Sequence, residues 1–431
     1  MQHTKHKRFS VPVYQAGFPG NPGDAIPSHP NPRRKRGTGQ LDRQSILLLT
    51  VQGLFVVANA LSGTFVNVYL WKMSRNLALI GWFALCHQAA LGLTFWLAGR
   101  WVKEHNKMHS LRLGMLVSAI FYLLVLFLGP KAPHYVYGLG IVQGIAAGLF
   151  WLAYNVVYFE ITEPHNRDRF NGWAGLLGAG AGMAAPWLSG YLISRMAETK
   201  GYMLIFSLSL GVFLVGVVFS LFLKKRRVDG SYEWLHGIRC LREPGSPWRR
   251  IVPALAMQGM REGVFIFVIT LLVFISTGNE MKLGNYSLIT SAVSLFAFYL
   301  AGRWLRPKRR IPAMLLGAIL ITLAITPFFW EVNYTTLLIF GIGVSLFHPL
   351  YIIPMTSTVF DFIGRDEESA AQRVEYVVLR ELALNAGRMA GTILFILVIS
   401  LSKDPRVLNL FLLFIGSAPI VSWFFMRAVL K

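Results

Sequence analysis

Cysteine is nearly missing from this 431-residue chain: Cys86 lies in an apolar run and Cys240 in a basic stretch, and two such residues build no disulfide framework. Charge is scarce too. Charged residues make up 14% of the sequence, against roughly 25% in soluble domains, while hydrophobic residues make up 54%. That is too much apolar sequence for one soluble core. Acids are the scarcer sign, 20 Asp and Glu against 42 Lys and Arg. The resulting charge of +22 would suit nucleic acid if it lined one face. Here Lys and Arg sit in short blocks between apolar runs, where they orient helices in a bilayer, so nucleic acid is not an expected partner. No Gly-x4-Gly-Lys-[Ser/Thr] run is present, and no nucleophile–base pair stands out, so neither ATP-driven work nor enzymatic chemistry is expected. His105 and His109 have the spacing of a helical metal pair without an acidic third ligand, so no metal and no cofactor are expected.

What the chain does have is length in apolar segments. A helix needs ~20 mainly apolar residues to cross the hydrocarbon core, and twelve such stretches fall between about 45 and 429. Residues 1–43 lack a hydrophobic run and read as a disordered basic cytoplasmic tail closed by Arg33, Arg34, Lys35 and Arg36. Ala98-Gly99-Arg100-Trp101 returns as Ala301-Gly302-Arg303-Trp304. At the same offset of 203, Leu113-Gly114 meets Leu316-Gly317 and Gly138-x-Gly140 meets Gly341-x-Gly343. A period that long marks a duplicated half-molecule, so six-helix bundles are expected at 44–223 and 251–431, joined by a cytoplasmic linker at 224–250. Within the linker, Trp234, Leu235, Ile238 and Leu241 make a short apolar stripe, read as a tether between bundles or as a helix lying on anionic lipid. Of the 42 Lys and Arg, 31 fall in the tail, the alternate loops and the C-terminal end, and eight in the opposite loops. The positive-inside rule then puts both termini in the cytoplasm.

These features resemble the major facilitator superfamily over about residues 44–430, and its local motifs are present in altered form. The family's loop between spans 2 and 3 starts with Gly, has Asp four residues on, then clustered basic residues. Here Gly99 and Arg100 are in place, but Lys103 holds the acid's position and Glu104 the next basic one. The second copy, with Gly302, Arg303 and Arg306, also lacks the acid. Gln143-Gly144-Ile145-Ala146-Ala147 is similar to a span 4 motif that carries Arg where this chain has Gly140. Ala181-x3-Ala185-Pro186-x2-Ser189-Gly190 resembles the Gly-rich signature of proton-linked exporters, in which small residues let helices pack closely. The resemblance implies an all-α polytopic membrane protein, with twelve transmembrane helices in two pseudo-symmetric six-helix bundles. The run Arg380-Glu381-x3-Asn385-x-Gly387-Arg388 resembles poorly characterised Gram-positive members of the superfamily.

Ionisable residues deep in a span are expensive and usually face the bundle interior. Span 7 holds Gln258, Arg261 and Glu262; span 11 holds Glu375, Arg380, Glu381, Asn385 and Arg388. Spacings of 4 and 3 put Glu381, Asn385 and Arg388 on one face. As buried pairs these charges would only fix packing. As a site they make Glu262 and Glu381 proton carriers, with Arg261, Gln258, Arg380, Asn385 and Arg388 as substrate ligands. The first half offers a neutral wall: Asn59, His87, Trp151, Tyr154 and Asn155. The expected function is a monomeric, multi-pass secondary transporter of the plasma membrane, exporting a small amphipathic or anionic molecule in exchange for protons. A lipid or glycolipid flippase on the same fold, or a sensor that has lost transport, are the alternatives.

Overall fold

The computed structural model describes residues 41–161, 167–196, 199–224, 230–363 and 371–430. Residues 1–40 of the basic tail and the Asp366–Glu368 run lie outside them, while Asp42 and Arg43 of the tail cap and begin the first helix. Among the described residues all regular structure is helical. The first half comprises α1 (Arg43–Ser74), α2 (Leu77–Glu104), α3 (Lys107–Leu128), α4 (Val136–Ile161), α5 (Arg167–Arg195) and α6 (Lys200–Leu221). The short α7 (His236–Arg242) follows in the linker. The second half comprises α8 (Trp248–Thr277), α9 (Glu280–Trp304), α10 (Arg310–Leu323), α11 (Tyr334–Ile363), α12 (Arg373–Leu401), α13 (Pro405–Gly416) and α14 (Ala418–Met426).

Among the described residues, eleven helical segments are long and apolar enough to cross a membrane. One of them, Lys107–Tyr158, runs for 52 residues, about 78 Å, which is too long for one crossing. A 3-10 turn at Gly129–Tyr135, with Pro133 inside it, breaks it into α3 and α4. The last crossing is itself broken at Ser417, between α13 and α14. Twelve crossings result, so the start of α1 and the end of α14 share one side of the bundle. We call that side the terminal end and the opposite one the distal end.

The duplication is visible in the backbone. α1 ends in a left-handed residue, Arg75 (φ 52°), and α8 ends in its counterpart 203 positions on, Gly278 (φ 59°). The next residues, Asn76 and Asn279, cap α2 and α9 by accepting from backbone N–H groups of the first turn. Gly114 packs on the backbone of Phe150 and Gly317 on that of Tyr351, so α3–α4 and α10–α11 approach alike.

The halves meet along two helix pairs, α2 with α12 and α5 with α9. Small residues allow the second pair to close at its distal end: a Cβ on Gly190 would lie 2.5 Å from the Glu280 carbonyl, and one on Gly284 3.0 Å from the Pro186 carbonyl. Ala181 and Ala185 on the same stretch are buried. The described part of the linker, from residue 230 on, packs on the bundle. Its Tyr232 ring lies on Gly99, and the Trp96 indole donates to the Trp234 carbonyl at 3.3 Å. His236 and Cys240 of α7 face inward, while Trp234, Leu235 and Ile238 of the apolar stripe are exposed. Spacing alone could not show this, because the surface that receives the linker is built by α2 and α12.

Candidate functional site

Between the halves lies a cavity of about 1150 Å³. Its charged wall depends on how closely α8 and α12 approach. Gly259 and Gly263 of α8 press on the backbones of Leu384 and Arg388, and Gly387 and Gly391 of α12 press on those of Ala256 and Met260. With no side chains between the two backbones, Arg388 reaches both carboxylates. Its Nη2 donates to Glu262 Oε2 at 3.0 Å and its Nη1 to Glu381 Oε1 at 2.8 Å. Asn385 joins them, donating from Nδ2 to Glu381 Oε1 at 3.2 Å. Gln258 donates to the other oxygen of Glu262 at 2.7 Å. Arg380 touches Glu381 at 3.4 Å and lies over the Phe360 ring at 5.4 Å. Arg261 is buried without a carboxylate among the described residues; its guanidinium sits over the Phe265 ring at 4.7 Å.

The opposite wall is neutral. Asn59, His87, Trp151 and Asn155 line the cavity, as do Arg261, Glu262, Arg380, Glu381, Asn385 and Arg388 across from them. Two expected ligands do not. Tyr154 turns away into the first half, stacked on Phe150 and donating to Gln52 at 2.7 Å. Gln258 lies behind Glu262 and orients it. Both face the packing side because their helices contact a neighbour there, which periodicity cannot tell from a cavity. Phe55, Phe83, Phe340, Tyr286 and Thr290 line the cavity and were not singled out in the sequence. Their signal, an aromatic or hydroxyl in an apolar run, is shared with ordinary packing residues. Gln88 is a further hub: it donates to the Gly263 carbonyl at 3.3 Å and accepts from Thr392 at 3.0 Å, tying α2 to α8 and α12.

Gly140 stands where the resembling motif has Arg. A Cβ there would lie 2.6 Å from the Phe83 carbonyl, so α2 and α4 pack where a long side chain would have stood.

Ion pairs hold the halves together at both ends of the cavity. Distally, Lys72 pairs with Glu280 at 3.0 Å, Tyr202 donates to the same carboxylate at 2.7 Å, and Trp71 packs edge-on against Phe274. At the terminal end Lys103 pairs with Glu375 at 2.5 Å, both side chains almost fully buried. The altered loop motif therefore does form an ion pair with span 11, with a lysine on the loop side. The linker seals it: the Glu233 N–H donates to the same Glu375 oxygen at 3.1 Å, and the Tyr232 N–H donates to Glu104 at 3.0 Å. Burial and the nearby Glu375 push the Tyr232 phenol upward, so its hydroxyl stays a donor, to the Trp96 carbonyl at 3.3 Å. The second copy makes no such pair. Arg303 donates to Tyr299, Gly302 faces open space, and Arg306 forms no ion pair among the described residues. Near it, Arg310 pairs with Asp361 at 3.0 Å, joining α10 to α11.

Known proteins agree with this architecture. A family model for the major facilitator superfamily matches residues 52–374. An uncharacterized protein of Bacillus subtilis (strain 168), YqgE, is 39% identical over 393 residues, covering 91% of each chain. An uncharacterized protein encoded in the sodM 3' region of Geobacillus stearothermophilus is 41% identical over 170 residues, covering 39% of this chain and 79% of its own. Among solved structures, a bacterial homologue of the iron transporter ferroportin in an outward-facing state superposes with a TM-score of 0.63 at 14% identity. The human organic anion transporter MFSD10 (TETRAN) does so at 0.64 and 13%. Each of these covers 90% of this chain and 99% of its own, and at such identity the likeness shows the fold alone. With twelve crossings in two repeated halves around a central cavity, the chain is a multi-pass membrane transporter and belongs to the major facilitator superfamily.

Proposed function

We propose that the chain is a secondary transporter of the cell membrane that works as a monomer by alternating access, with the terminal end in the cytoplasm, and exports a small amphipathic or anionic molecule in exchange for protons. The observation that carries this reading is the bridge in the cavity wall, where one guanidinium, Arg388, holds carboxylates from two helices. A proton on Glu262 breaks the tie between α8 and α12, and a proton on Glu381 removes the carboxylate that holds Arg388 in place along α12. Substrate binding with the bridge intact and proton binding with it broken then favour different arrangements of the same helices, which is the condition for exchange. Direct attraction between an anion and a proton works against release, so release on binding has to come from the bridge re-forming. The arginine- and lysine-rich loops at the terminal end support a cytoplasmic placement.

The test is proton exchange in weakly buffered solution of the purified protein on addition of anionic and cationic amphiphiles. Release is expected in the wild type and none in a Glu262→Gln, Glu381→Gln double variant. Proton uptake would mean that substrate and proton move together, and would replace exchange with co-transport. Retained proton-dependent transport in the double variant would remove both residues from the coupling step.

A further inference from the structure

The cavity holds three guanidinium groups and two carboxylates, and their pairing is uneven. Arg388 takes both carboxylates and Arg380 reaches one of them. Arg261 is 7% exposed, has no ion pair among the described residues, and its Nε has no hydrogen-bond partner. Its guanidinium lies over the Phe265 ring and on the cavity wall. Arginine cannot shed its proton to escape this position, and an unpaired cation at membrane depth is costly. The missing partner is an anion.

The α5–α9 seam shows where the rest of such a ligand fits. On α5 the stripe that meets α9 runs Gly190, Pro186, Gly182 at helical spacing, and the Ser291 hydroxyl donates to the Gly182 carbonyl at 3.2 Å. The same stripe continues through Gly178 and Gly175, where an added Cβ would meet nothing within 4 Å. On α9 the stripe continues from Ser291 through Leu295 and Phe298, 37% and 40% exposed, to Gly302, which also faces open space. Only 17% of the most apolar window of α9 is buried, the lowest share of the eleven spanning segments. The two helices are therefore packed distally and parted toward the terminal end, at the edge opposite the Lys103–Glu375 pair.

We propose that Arg261 seats the anionic group of the transported molecule, and that this molecule is a monoanionic amphiphile whose apolar body reaches the cavity sideways, from the bilayer, through the parted halves of α5 and α9. The assignment rests on the transporter reading and names its substrate class. One unpaired cation calls for one negative charge, and a planar guanidinium suits a carboxylate. The rest of the lining includes the rings of Phe55, Phe83, Phe121, Trp151, Phe265 and Phe340, which favour an apolar body. At about 1150 Å³ the cavity exceeds the usual range for a drug-sized ligand, leaving room for a chain of about ten carbons beside its head group.

The experiment is equilibrium binding of decanoate to the full-length protein in zwitterionic-lipid nanodiscs, with empty nanodiscs subtracted and no proton gradient present. Decanoate should bind, and decanol and decyltrimethylammonium should not. Arg261→Gln should weaken decanoate by about 30-fold or more, the loss expected when one member of a buried charge pair is removed, while Arg261→Lys keeps part of the affinity. Equal binding of decanoate and decyltrimethylammonium to the wild type would overturn the seat without recourse to any variant, as would unchanged binding to Arg261→Gln. Decanoate that binds through Arg261 but is not moved in proteoliposomes would leave the seat standing and remove the transporter reading. For the route, Gly178→Leu should slow binding of membrane-partitioned decanoate and leave water-borne benzoate unaffected. Equal slowing of both, or of neither, would exclude access from the bilayer.

Discussion

Arg388 is the residue on which the site's electrostatics turn, because among the described residues it is the one cation paired with Glu262 and the closer of two for Glu381. Removing one member of a buried pair leaves its partner desolvated and uncompensated, which costs about 3–5 kcal/mol. Arg388→Gln should therefore lower the thermal midpoint of the purified protein sharply, since it strands two carboxylates at once. Adding Glu262→Gln and Glu381→Gln to that variant should recover most of the loss, because three neutral amides can hydrogen-bond among themselves. A triple variant no more stable than Arg388→Gln alone would show that shape, not charge, fails. Part of this cluster was legible in the sequence: spacings of 4 and 3 place Glu381, Asn385 and Arg388 on one helical face, and they do bond to one another. The reach of Arg388 to Glu262, 126 residues away, was not legible. It depends on glycines of two helices meeting, and sequence spacing within one helix carries no information about its neighbour.

At the level of elements, the start of α12, the end of α2 and the linker form one latch. The departure at Lys103 was readable as a lost acid; its partner Glu375, 272 residues on, was not. Reversing either charge alone, Lys103→Glu or Glu375→Lys, places like charges in a site that is almost fully buried. Each should destabilise the terminal-end closure by about 3–5 kcal/mol. The double reversal should restore much of it, measured as protection of the Tyr232–Arg242 segment from amide exchange. The same segment carries a pH dependence. Burial lowers the His236 pKa; Glu375 and Glu233 pull it up, Arg239 pushes it down, and burial wins. Cys240 and the Tyr376 ring complete its surroundings. A histidine held neutral in the packed state binds its proton better when the linker is loose. Its contribution is thus present above the unfolded value of about 6.5 and is lost as the pH falls below it toward the lowered value. Exchange in this segment, corrected for its intrinsic pH dependence, should be faster at about pH 5.5 than at pH 7, and His236→Gln should flatten that difference.

Across the whole molecule, the repeat explains both what the halves share and where they part. Twelve spans and the 203-residue offset were legible because bilayer thickness and duplication act on long stretches of sequence. The offset also pairs Glu262 with Asn59 and Arg261 with Ala58, so equivalent positions on α8 and α1 carry charge in one half and none in the other. The latch is unequal in the same way: at this offset Glu375 corresponds to Gly172, which faces open space. Which arrangement of the halves the chain adopts is a balance of such contacts, and a single position can tip it. At Gly190 a larger side chain would press on the Glu280 carbonyl, a backbone atom that cannot swing aside. Overpacking of this kind costs about 1–3 kcal/mol, a roughly 5- to 150-fold change in the ratio of two conformations. Gly190→Val should therefore favour the arrangement in which α5 and α9 part distally. In a background with Cys86 and Cys240 replaced by serine, a cysteine introduced by Asn67→Cys, in the cavity wall on α1, should become more reactive to impermeant reagents applied from the distal side. Gly178→Val, on the same stripe but facing open space, should leave that reactivity unchanged. Equal responses to the two substitutions would mean that the α5–α9 seam does not govern access to the cavity.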